Sequence, residues 1–372
     1  MLKRSCSPLV AFLLLPLLSG LAAESGDAMA PERFQRMLKL FPDADTNGDG
    51  KLSVSEALAF QQKLPGKKKA ASAKAAANRP TPTQANVKYG PYERNILDFW
   101  AAKSDQPSPL VVYIHGGGFV GGDKSSVNPG AIQTCLDAGV SFMAIDYRFR
   151  KDAAVQEILR DSARAIQFMR LHAADYHIDP KRIASFGSSA GAGTSLWLAV
   201  HDDLADPANA DPVLRQSSRI VAAGCMNTQA SYDLTEWEKF AGKGDRSWLH
   251  TEDEDVLFYH FKSRADFDTP EGRKILADCS MLSQISKDDP PLVLTNTNPD
   301  TEPTSRGAFI HHPRHVKALQ QRCQEIGVPC EVHLLSDSRQ TRGDLNGSVV
   351  RFLLKNLGVS PDNKAASATP SN

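Results

Sequence analysis

A serine placed between glycines is the residue of this chain best suited to nucleophilic chemistry. Ser189 lies in the stretch Gly187–Gly191, which reads Gly-Ser-Ser-Ala-Gly and separates an apolar run at 182–187 from another at 190–201. A serine on a tight strand-to-helix turn presents its hydroxyl to a substrate, and small neighbours avoid collision with the strand and the helix. Ser189 is therefore the candidate nucleophile. The alternative is a glycine- and serine-rich loop without a chemical role.

A second glycine-rich stretch offers donors for the oxyanion that a serine nucleophile creates. Residues 115–119 read His-Gly-Gly-Gly-Phe and close an apolar run at 110–115. Bare glycine backbone can approach a substrate carbonyl, and its N–H groups stabilise developing negative charge. The predicted oxyanion hole consists of the N–H groups of Gly116, Gly117 and Ala190, the last at the positive end of a predicted helix. A glycine-rich turn is the alternative.

Three further motifs accompany these two segments. They are Gly-Gly-Asp at 121–123, Asp-Tyr-Arg at 146–148, and Asp-Pro-Lys-Arg-Ile at 179–183, which leads into the serine turn. On these motifs, residues 87–358 resemble the α/β-hydrolase fold, closest to the carboxylesterase and hormone-sensitive-lipase-like group. The resemblance implies hydrolysis of a small or medium-sized carboxylic ester, with no cofactor for catalysis.

The resemblance also implies a carboxylate and a histidine, in the chain order serine, acid, histidine. A proline-led apolar run at 290–296 is followed by Asp300, as the family's acid follows a late strand. Asp300 is therefore the candidate acid. The alternative is a loop aspartate, because Asn-Pro-Asp also favours a turn.

The histidine of such a triad has no obvious counterpart. In the family it follows the last strand, but here the loop at 336–344 contains none, and all ten histidines precede it. His311, His312 and His315 follow the candidate acid, and only a rearranged fold is expected to bring one of them to Ser189. A substitute histidine, a different base, and a fold retained for binding alone all remain open. Because a serine hydroxyl is a poor nucleophile without a base, we expect a weak or inactive hydrolase.

Two function hypotheses follow from the missing histidine. One is a serine carboxylic-ester hydrolase that acts through Ser189. The other is a catalytically impaired α/β-hydrolase-like protein that binds a ligand or a protein partner.

The elements that must position these residues alternate along residues 87–358. The predicted strands are 110–115, 141–146, 182–187, 220–226, 292–296 and 330–335, and the predicted helices are 152–172, 190–201, 313–326 and 346–357. This alternation predicts the α/β class, with a mostly parallel sheet flanked by helices. An aromatic and charged stretch at 231–286 breaks the rhythm and predicts a small cap at the sheet's C-terminal edge, where sites form in open α/β sheets.

A polar loop at 45–56 matches the twelve-residue calcium loop of an EF-hand, and helical patterns flank it within 31–64. The predicted calcium ligands are Asp45, Asn47, Asp49, Lys51 through its backbone carbonyl, and Glu56. An acidic turn without metal is the alternative. Because EF-hands normally occur in pairs, we expect this single helix-loop-helix segment to bind calcium in a structural role.

The terminal segments and the linker of the chain lead to predictions about its location. Residues 1–22 predict an export signal, since Lys3 and Arg4 precede a short apolar run followed by small residues. We therefore expect a periplasmic or extracellular protein, without an integral membrane segment after signal removal. Segments 65–86 and 359–372 lack large apolar side chains and predict a linker and a disordered tail.

Charge and cysteine content limit the partners further. Basic and acidic residues balance at 43 each, which gives no indication of a nucleic-acid partner. The family resemblance implies a small-molecule ester as the partner. Cys323 and Cys330 are the best candidates for a disulfide in an exported protein. The alternative is that the cysteines are buried thiols of a large core.

Calcium is predicted to bind the EF-hand segment without taking part in ester chemistry. Replacing the bidentate ligand in Glu56→Ala should abolish calcium uptake in titration calorimetry of the full-length protein, whereas Glu32→Ala, outside the loop, should not. Chelation should leave any esterase rate unchanged. Calcium uptake by the Glu56→Ala variant equal to that of the wild type, or loss of activity on chelation, would contradict this assignment.

Overall fold

An eight-stranded sheet lies at the centre of the structure, a computed structural model that describes residues 79–242, 254–335 and 341–359. These residues belong to one compact unit that begins at Asn78. The predicted export signal, EF-hand segment and most of the predicted linker and tail lie outside the described residues.

Eight strands form the central sheet, and most of them are parallel to their neighbours. They are β1 Gln84–Lys88, β2 Ile96–Trp100, β3 Ser108–Ile114, β4 Ser141–Ile145, β5 Ile178–Ser188, β6 Ala223–Met226, β7 Leu292–Asn296 and β8 Cys330–Leu334. The sheet order is β1-β2-β4-β3-β5-β6-β7-β8. β1 and β2 pair antiparallel, as do β2 and β4, and all the other pairs are parallel.

The central strands are apolar because both of their faces are covered. Every residue of β3, β4 and β7 is buried. Side chains along β3 alternate between two apolar clusters, with Leu110, Val112 and Ile114 in one and Val111 and Tyr113 in the other. That alternation is the two-residue period of a strand with helices on each side.

Ten helices, several of them short, surround this sheet in the described chain. They are α1 Pro129–Asp137, α2 Val155–Leu171, α3 Ala190–Val200, α4 Trp237–Ala241, α5 Glu254–Tyr259, α6 Pro270–Cys279, α7 Met281–Gln284, α8 Arg306–Ile310, α9 Pro313–Ile326 and α10 Arg342–Asn356. Residues of α2, α3 and α9 join one apolar cluster, while residues of α1 and α10 join the other. The predicted fold class, a mostly parallel sheet flanked by helices, is confirmed.

Several sequence predictions differ from the structure in detail. β7 and α9 have the predicted bounds, but β5 begins four residues earlier than predicted, at Ile178. The antiparallel strands β1 and β2 were not predicted, and β1 begins at Gln84, inside the predicted linker. β1 escapes prediction because its residues are mostly exposed and polar, so it carries no apolar pattern.

The segment predicted as a cap consists of short helices in its described part. It contains α4 to α7 and short 3-10 turns at 234–236 and 264–268. Two hydrogen bonds tie it to α3: the Tyr232 hydroxyl donates to the Ala190 carbonyl at 2.6 Å, and the Trp197 indole donates to the Asp278 carbonyl at 2.7 Å. These bonds connect the segment directly to the helix that follows the candidate nucleophile.

The five described cysteines are thiols, and four of them are buried. Cys323 and Cys330, the predicted disulfide candidates, are joined by a hydrogen bond, and this bond lowers the pKa of Cys323. Among the described residues, no helix is long and apolar enough to cross a bilayer.

The buried strand β7 provides a test of the core. Leu294 is fully buried, so Leu294→Ala should lower the free energy of unfolding by about 2–5 kcal/mol through the cavity that it leaves. Leu257 on α5 is 60% exposed, so Leu257→Ala should change the free energy of unfolding by less than about 0.5 kcal/mol. Urea unfolding followed by tryptophan fluorescence measures both, and equal losses would contradict the placement of these two leucines.

Candidate active site

Ser189 occupies a strained turn between β5 and α3. Its φ of 55° and ψ of −121° lie in a region that non-glycine residues rarely adopt. The Ser189 N–H donates to the Met226 carbonyl at 2.9 Å, and the Ser189 carbonyl accepts from Gly193 at 3.0 Å. Such strain persists where the surrounding structure enforces it, and it concentrates at functional sites.

A close backbone approach fixes this turn against the end of β3. A Cβ on Gly191 would lie 2.0 Å from the Ile114 carbonyl oxygen, so only glycine fits there. A Cβ on Gly116 would lie 3.5 Å from the Cβ of Ser189. The structure therefore brings together the two glycine-rich stretches that the sequence singled out.

Backbone N–H groups without acceptors lie beside the serine. Gly117 adopts a φ of +118°, and its carbonyl accepts from Val120 at 3.0 Å, which closes a turn. Within the described residues, the N–H groups of Gly117, Gly118 and Ala190 have no hydrogen-bond acceptor. Gly118 and Ala190 also line the pocket that contains Ser189. An oxyanion would therefore meet unsatisfied donors here.

His115 supports the glycine loop and does not act as the base. Its ring is fully buried and stacks on Tyr147 with centroids 4.1 Å apart. The His115 Nδ1–H donates to the Gly116 carbonyl at 2.7 Å, and the Tyr147 hydroxyl donates to the His115 carbonyl at 2.6 Å. Burial lowers the pKa of His115 to about 4, so the ring stays neutral.

His311 reaches the serine without any rearrangement of the fold. It follows α8, and its Nε2 lies 3.3 Å from Ser189 Oγ. The prediction that only a rearranged fold could supply a histidine is therefore wrong. The histidine comes from the chain after β7, where the sequence analysis had placed the acid, rather than from the chain after β8. Contacts of this length are common between catalytic groups before substrate binds.

The other ring nitrogen of His311 fixes its tautomer. Nδ1 lies 3.0 Å from the Asn227 carbonyl oxygen and 3.0 Å from the Gln229 amide nitrogen. A carbonyl oxygen can only accept, so the bond to Asn227 places the proton on Nδ1. The Gln229 amide instead donates to the Ile310 carbonyl at 3.1 Å. This assignment leaves the Nε2 lone pair facing the serine hydroxyl, as a general base requires.

The environment of His311 keeps its ring neutral. Burial lowers the pKa of His311 below its ordinary 6.5, the hydrogen bond to Asn227 opposes that shift, and the positive charge of Arg306 adds to it. A base must be unprotonated to accept a proton. The lowered pKa therefore keeps His311 competent at neutral and mildly acidic pH.

Two asparagines hold the backbone of His311. The side-chain amides of Asn296 and Asn298 donate to the His311 carbonyl at 3.0 and 2.8 Å. Asn227, which accepts from the ring, is itself fixed because its side chain accepts from the Thr297 N–H at 2.8 Å. The ends of β6 and β7 thus position the histidine.

Asp300 does not contact Ser189 or His311. Its carboxylate is hydrogen-bonded to Lys317, which lowers the pKa of Asp300, and it lies 4.0 Å from His312 Nδ1. The interpretation of Asp300 as the triad acid is therefore wrong in this structure. Asp300 has the alternative role of a paired loop carboxylate. Within the described residues, no carboxylate contacts the ring of His311.

The two neighbouring histidines are structural. His312 Nε2 donates to the Thr301 carbonyl at 2.9 Å, and its Nδ1 accepts from the N–H of Arg314 at the start of α9. His315 is fully buried between backbone groups, and burial lowers its pKa to about 3. Neither ring is directed to the serine.

Ser189 opens into a pocket whose walls are mainly apolar. Its empty volume is about 720 Å³, part of which is open to solvent. The larger apolar lining residues are Phe119, Val120, Tyr232, Leu234, Trp237, Phe258 and Ile310. Apolar walls with a few polar groups are typical of small-ligand sites.

The predicted metal ligands cannot be placed. Asp45, Asn47, Asp49, Lys51 and Glu56 lie outside the described residues. In the part of the chain that the structure describes, no group of three or more histidine, cysteine or carboxylate side chains could hold a metal ion.

Comparison with known proteins identifies the family of this chain. The profile of the BD-FAE family matches residues 97–305, which is more than half of the chain and includes the glycine loop and Ser189. The chain belongs to the BD-FAE family. His311 lies just beyond the matched stretch.

Sequence relatives of this BD-FAE family member include esterases. It is 31% identical over 140 residues to a probable isoprenylcysteine alpha-carbonyl methylesterase of Arabidopsis thaliana, which covers 37% of this chain and 29% of the relative. It is 32% identical over 101 residues to the carboxylesterase NlhH of Mycobacterium tuberculosis, and the match covers 27% of this chain and 32% of the relative. The chain thus spans about a third of the length of these curated relatives.

Solved structures support the same fold. A truncated carbohydrate esterase from gut microbiota has a TM-score of 0.59 at 17% identity and covers 76% of this chain and 98% of that one. The propionate-bound esterase Est2 of Thermogutta terrifontis has a TM-score of 0.53 at 20% identity, and the match covers 75% of this chain and 95% of that one. At these identities the likeness concerns the α/β-hydrolase fold alone.

Sequence reasoning missed Asn227, Gln229 and the contact of His311 with Ser189 in this BD-FAE member. A usable signal existed, since His311 follows β7 through a short helix, in the part of the chain where the acid was sought. The contact of the ring with a backbone carbonyl has no side-chain motif, so no residue type could have indicated it.

The electrostatics of His311 can be tested by titration. NMR of the histidine rings should give His311 a pKa below 6.5, and Arg306→Gln should raise that pKa because it removes a nearby positive charge. Arg322→Gln, a matched change in a surface pair with Glu325, should leave it unchanged. A His311 pKa above 6.5 in the wild type would contradict the described burial.

Proposed function

We propose that this protein is an exported serine hydrolase of carboxylic esters that acts through Ser189, His311 and a glycine-rich oxyanion hole. One observation carries the proposal: Nε2 of His311 lies 3.3 Å from Ser189 Oγ, and the tautomer fixed by Asn227 lets it accept a proton. Membership of the BD-FAE family and the esterase relatives support the same reaction class.

The reaction would proceed by acyl transfer to the serine. Ser189 Oγ attacks the ester carbonyl carbon as its proton passes to His311 Nε2, and the carbonyl oxygen becomes an oxyanion. The N–H groups of Gly117, Gly118 and Ala190 stabilise this charge, with Gly116 next to them. The imidazolium then protonates the departing alcohol, and the acyl group stays on Ser189.

Water completes the cycle with the same groups. His311 takes a proton from water, the resulting hydroxide attacks the acyl carbon, and collapse of the second oxyanion returns the proton to Ser189 and releases the carboxylic acid. Every step uses Nε2 as the proton carrier. No step requires a metal or an organic cofactor.

The Asn227 carbonyl takes over part of the role of a triad acid. It accepts the Nδ1 proton and fixes the orientation of the ring, but it carries no full negative charge to stabilise the imidazolium. We therefore expect slower turnover than from a complete serine–histidine–carboxylate triad. A weak hydrolase therefore remains the expectation. The reason is now the missing negative charge beside His311 and not a missing histidine.

A second candidate function rests on the same feature. Because no carboxylate contacts His311 within the described residues, a protein that binds esters or related ligands without turning them over is the alternative. The free N–H donors beside Ser189 favour the enzyme, because stabilising an oxyanion is a need of catalysis rather than of binding.

Export and calcium binding complete the proposal. They are supported by the basic and apolar N-terminus and by the ligand spacing of residues 45–56. In this proposal the calcium is structural and lies outside the reaction.

Removal of the nucleophile or the base tests the reaction. Ser189→Ala and His311→Ala should each lower kcat/KM for 4-nitrophenyl acetate about 10³-fold or more, since either change leaves only the oxyanion donors. The change His172→Ala, at a half-exposed ring paired with Asp175, should leave kcat/KM unchanged.

Labelling separates an enzyme from a binding protein. A fluorophosphonate probe should modify wild-type Ser189, identified by peptide mapping, and should modify His311→Ala much more slowly. Unchanged ester hydrolysis in Ser189→Ala would refute the proposed nucleophile. No labelling and no turnover in the wild type would favour the binding protein.

A further inference from the structure

A cluster of three charged side chains lies in the same pocket as Ser189. Arg150 follows β4, while Glu254 and Arg306 are the first residues of α5 and α8. Nη1 of Arg150 and Nη2 of Arg306 both lie 2.9 Å from the same oxygen, Oε1 of Glu254. Three separate segments therefore bring two guanidinium groups to one carboxylate.

Two guanidinium groups of the pocket share one carboxylate oxygen, that of Glu254. Of the described residues that line the pocket, only these three are charged. Of the five N–H donors of Arg150, only the one at Nη1 has a partner in the described chain, so the other donors can receive an acceptor from a ligand.

A purely structural salt bridge explains this arrangement less well. A bridge between α5 and the loop after β4 needs only one arginine, and partly exposed pairs contribute little stability. The side chain of Arg150 is 28% exposed and that of Glu254 is 20% exposed, so both face the pocket and its opening. Glu254, shared with Arg306, fixes the position of the Arg150 guanidinium, which prepares it to bind a planar anion in two-point geometry.

The cluster also acts on the reacting atoms. The positive charge of Arg306 contributes to the lowered pKa of His311, so the cluster lies within electrostatic range of the proposed base. Most of the other lining residues of the pocket are the apolar and aromatic side chains already described. A fitting ligand therefore has an ester group, an apolar body and an anionic end.

We propose that Arg150, held by Glu254 together with Arg306, binds a carboxylate of the substrate, so that the preferred substrates are esters bearing a free carboxylate group. This inference rests on the proposed ester hydrolysis and specifies its substrate class. The carboxylate accepts hydrogen bonds from Arg150 while Ser189 attacks the ester carbonyl.

Matched substrate pairs test the inference on the full-length protein. Mono-4-nitrophenyl adipate and its methyl ester compare a charged with a neutral acyl side. 4-Acetoxybenzoate and its methyl ester make the same comparison on the alcohol side. In the wild type, at least one charged substrate should have a higher kcat/KM than its neutral partner, through a lower KM. Added sodium chloride should raise KM for the charged substrate only, because salt screens the attraction.

Variants identify the residue responsible. Arg150→Gln should lower the charged-to-neutral ratio of kcat/KM about tenfold or more, and Arg150→Lys should restore part of it. Glu254→Gln should raise the ratio, because it removes the competing negative charge. Arg273→Gln, at an exposed pair with Asp268, should not change it.

Each outcome decides the matter. A ratio that Arg150→Gln leaves unchanged in both pairs overturns the inference while the hydrolysis of neutral esters stands. An equal loss on charged and neutral substrates also overturns it, since that is the result of a structural role. If Arg150→Gln does not fold, the salt dependence and Glu254→Gln still decide. Absence of turnover on all four esters refutes the proposed function itself.

Discussion

The close contact between the end of β3 and the turn after β5 is the constraint on which this site depends. The parallel pairing of these strands runs to Ile114 and Gly187, so both leave the sheet at the same level. There Gly191 lies so near the Ile114 carbonyl that no side chain fits. Everything that follows, the strained serine and the adjacent glycine loop with its unsatisfied N–H groups, is a consequence of two strands ending side by side.

The base reaches this contact from the next strands of the same sheet. β6 pairs with β5, and β7 pairs with β6. The Asn227 carbonyl, directly after β6, and the amide of Asn296, the last residue of β7, hold His311. The histidine therefore needs no unusual fold, only a short helix after β7 that turns the chain back toward the serine. This arrangement explains how His311 lies in the part of the chain where the acid was predicted and still directs its Nε2 at Ser189.

The parts of the protein that sequence reasoning recovered are those with a local pattern. β7 and α9 had the predicted bounds because their apolar spacing is regular, and because β7 begins directly after Pro291 and α9 begins at Pro313. The glycine-rich turns were recovered because their spacing is specific. β1 has no such pattern, since it is a polar edge strand. Asp300 and His311 were misassigned because they lie in one loop whose path depends on hydrogen bonds between distant residues, such as Asn298 to the His311 carbonyl. No residue type in the sequence reveals that path.

The acceptor that orients the base belongs to the main chain. Every amino acid placed at position 227 would still present a carbonyl oxygen, so alanine scanning would remove the Asn227 amide but not the acceptor atom of the bond to His311. Asn227 also has a φ of 51°, a conformation that asparagine and glycine tolerate better than most residues. The hydrogen bond to His311 at this position is thus encoded as a backbone shape, and the Asn227 side chain contributes by accepting from the Thr297 N–H.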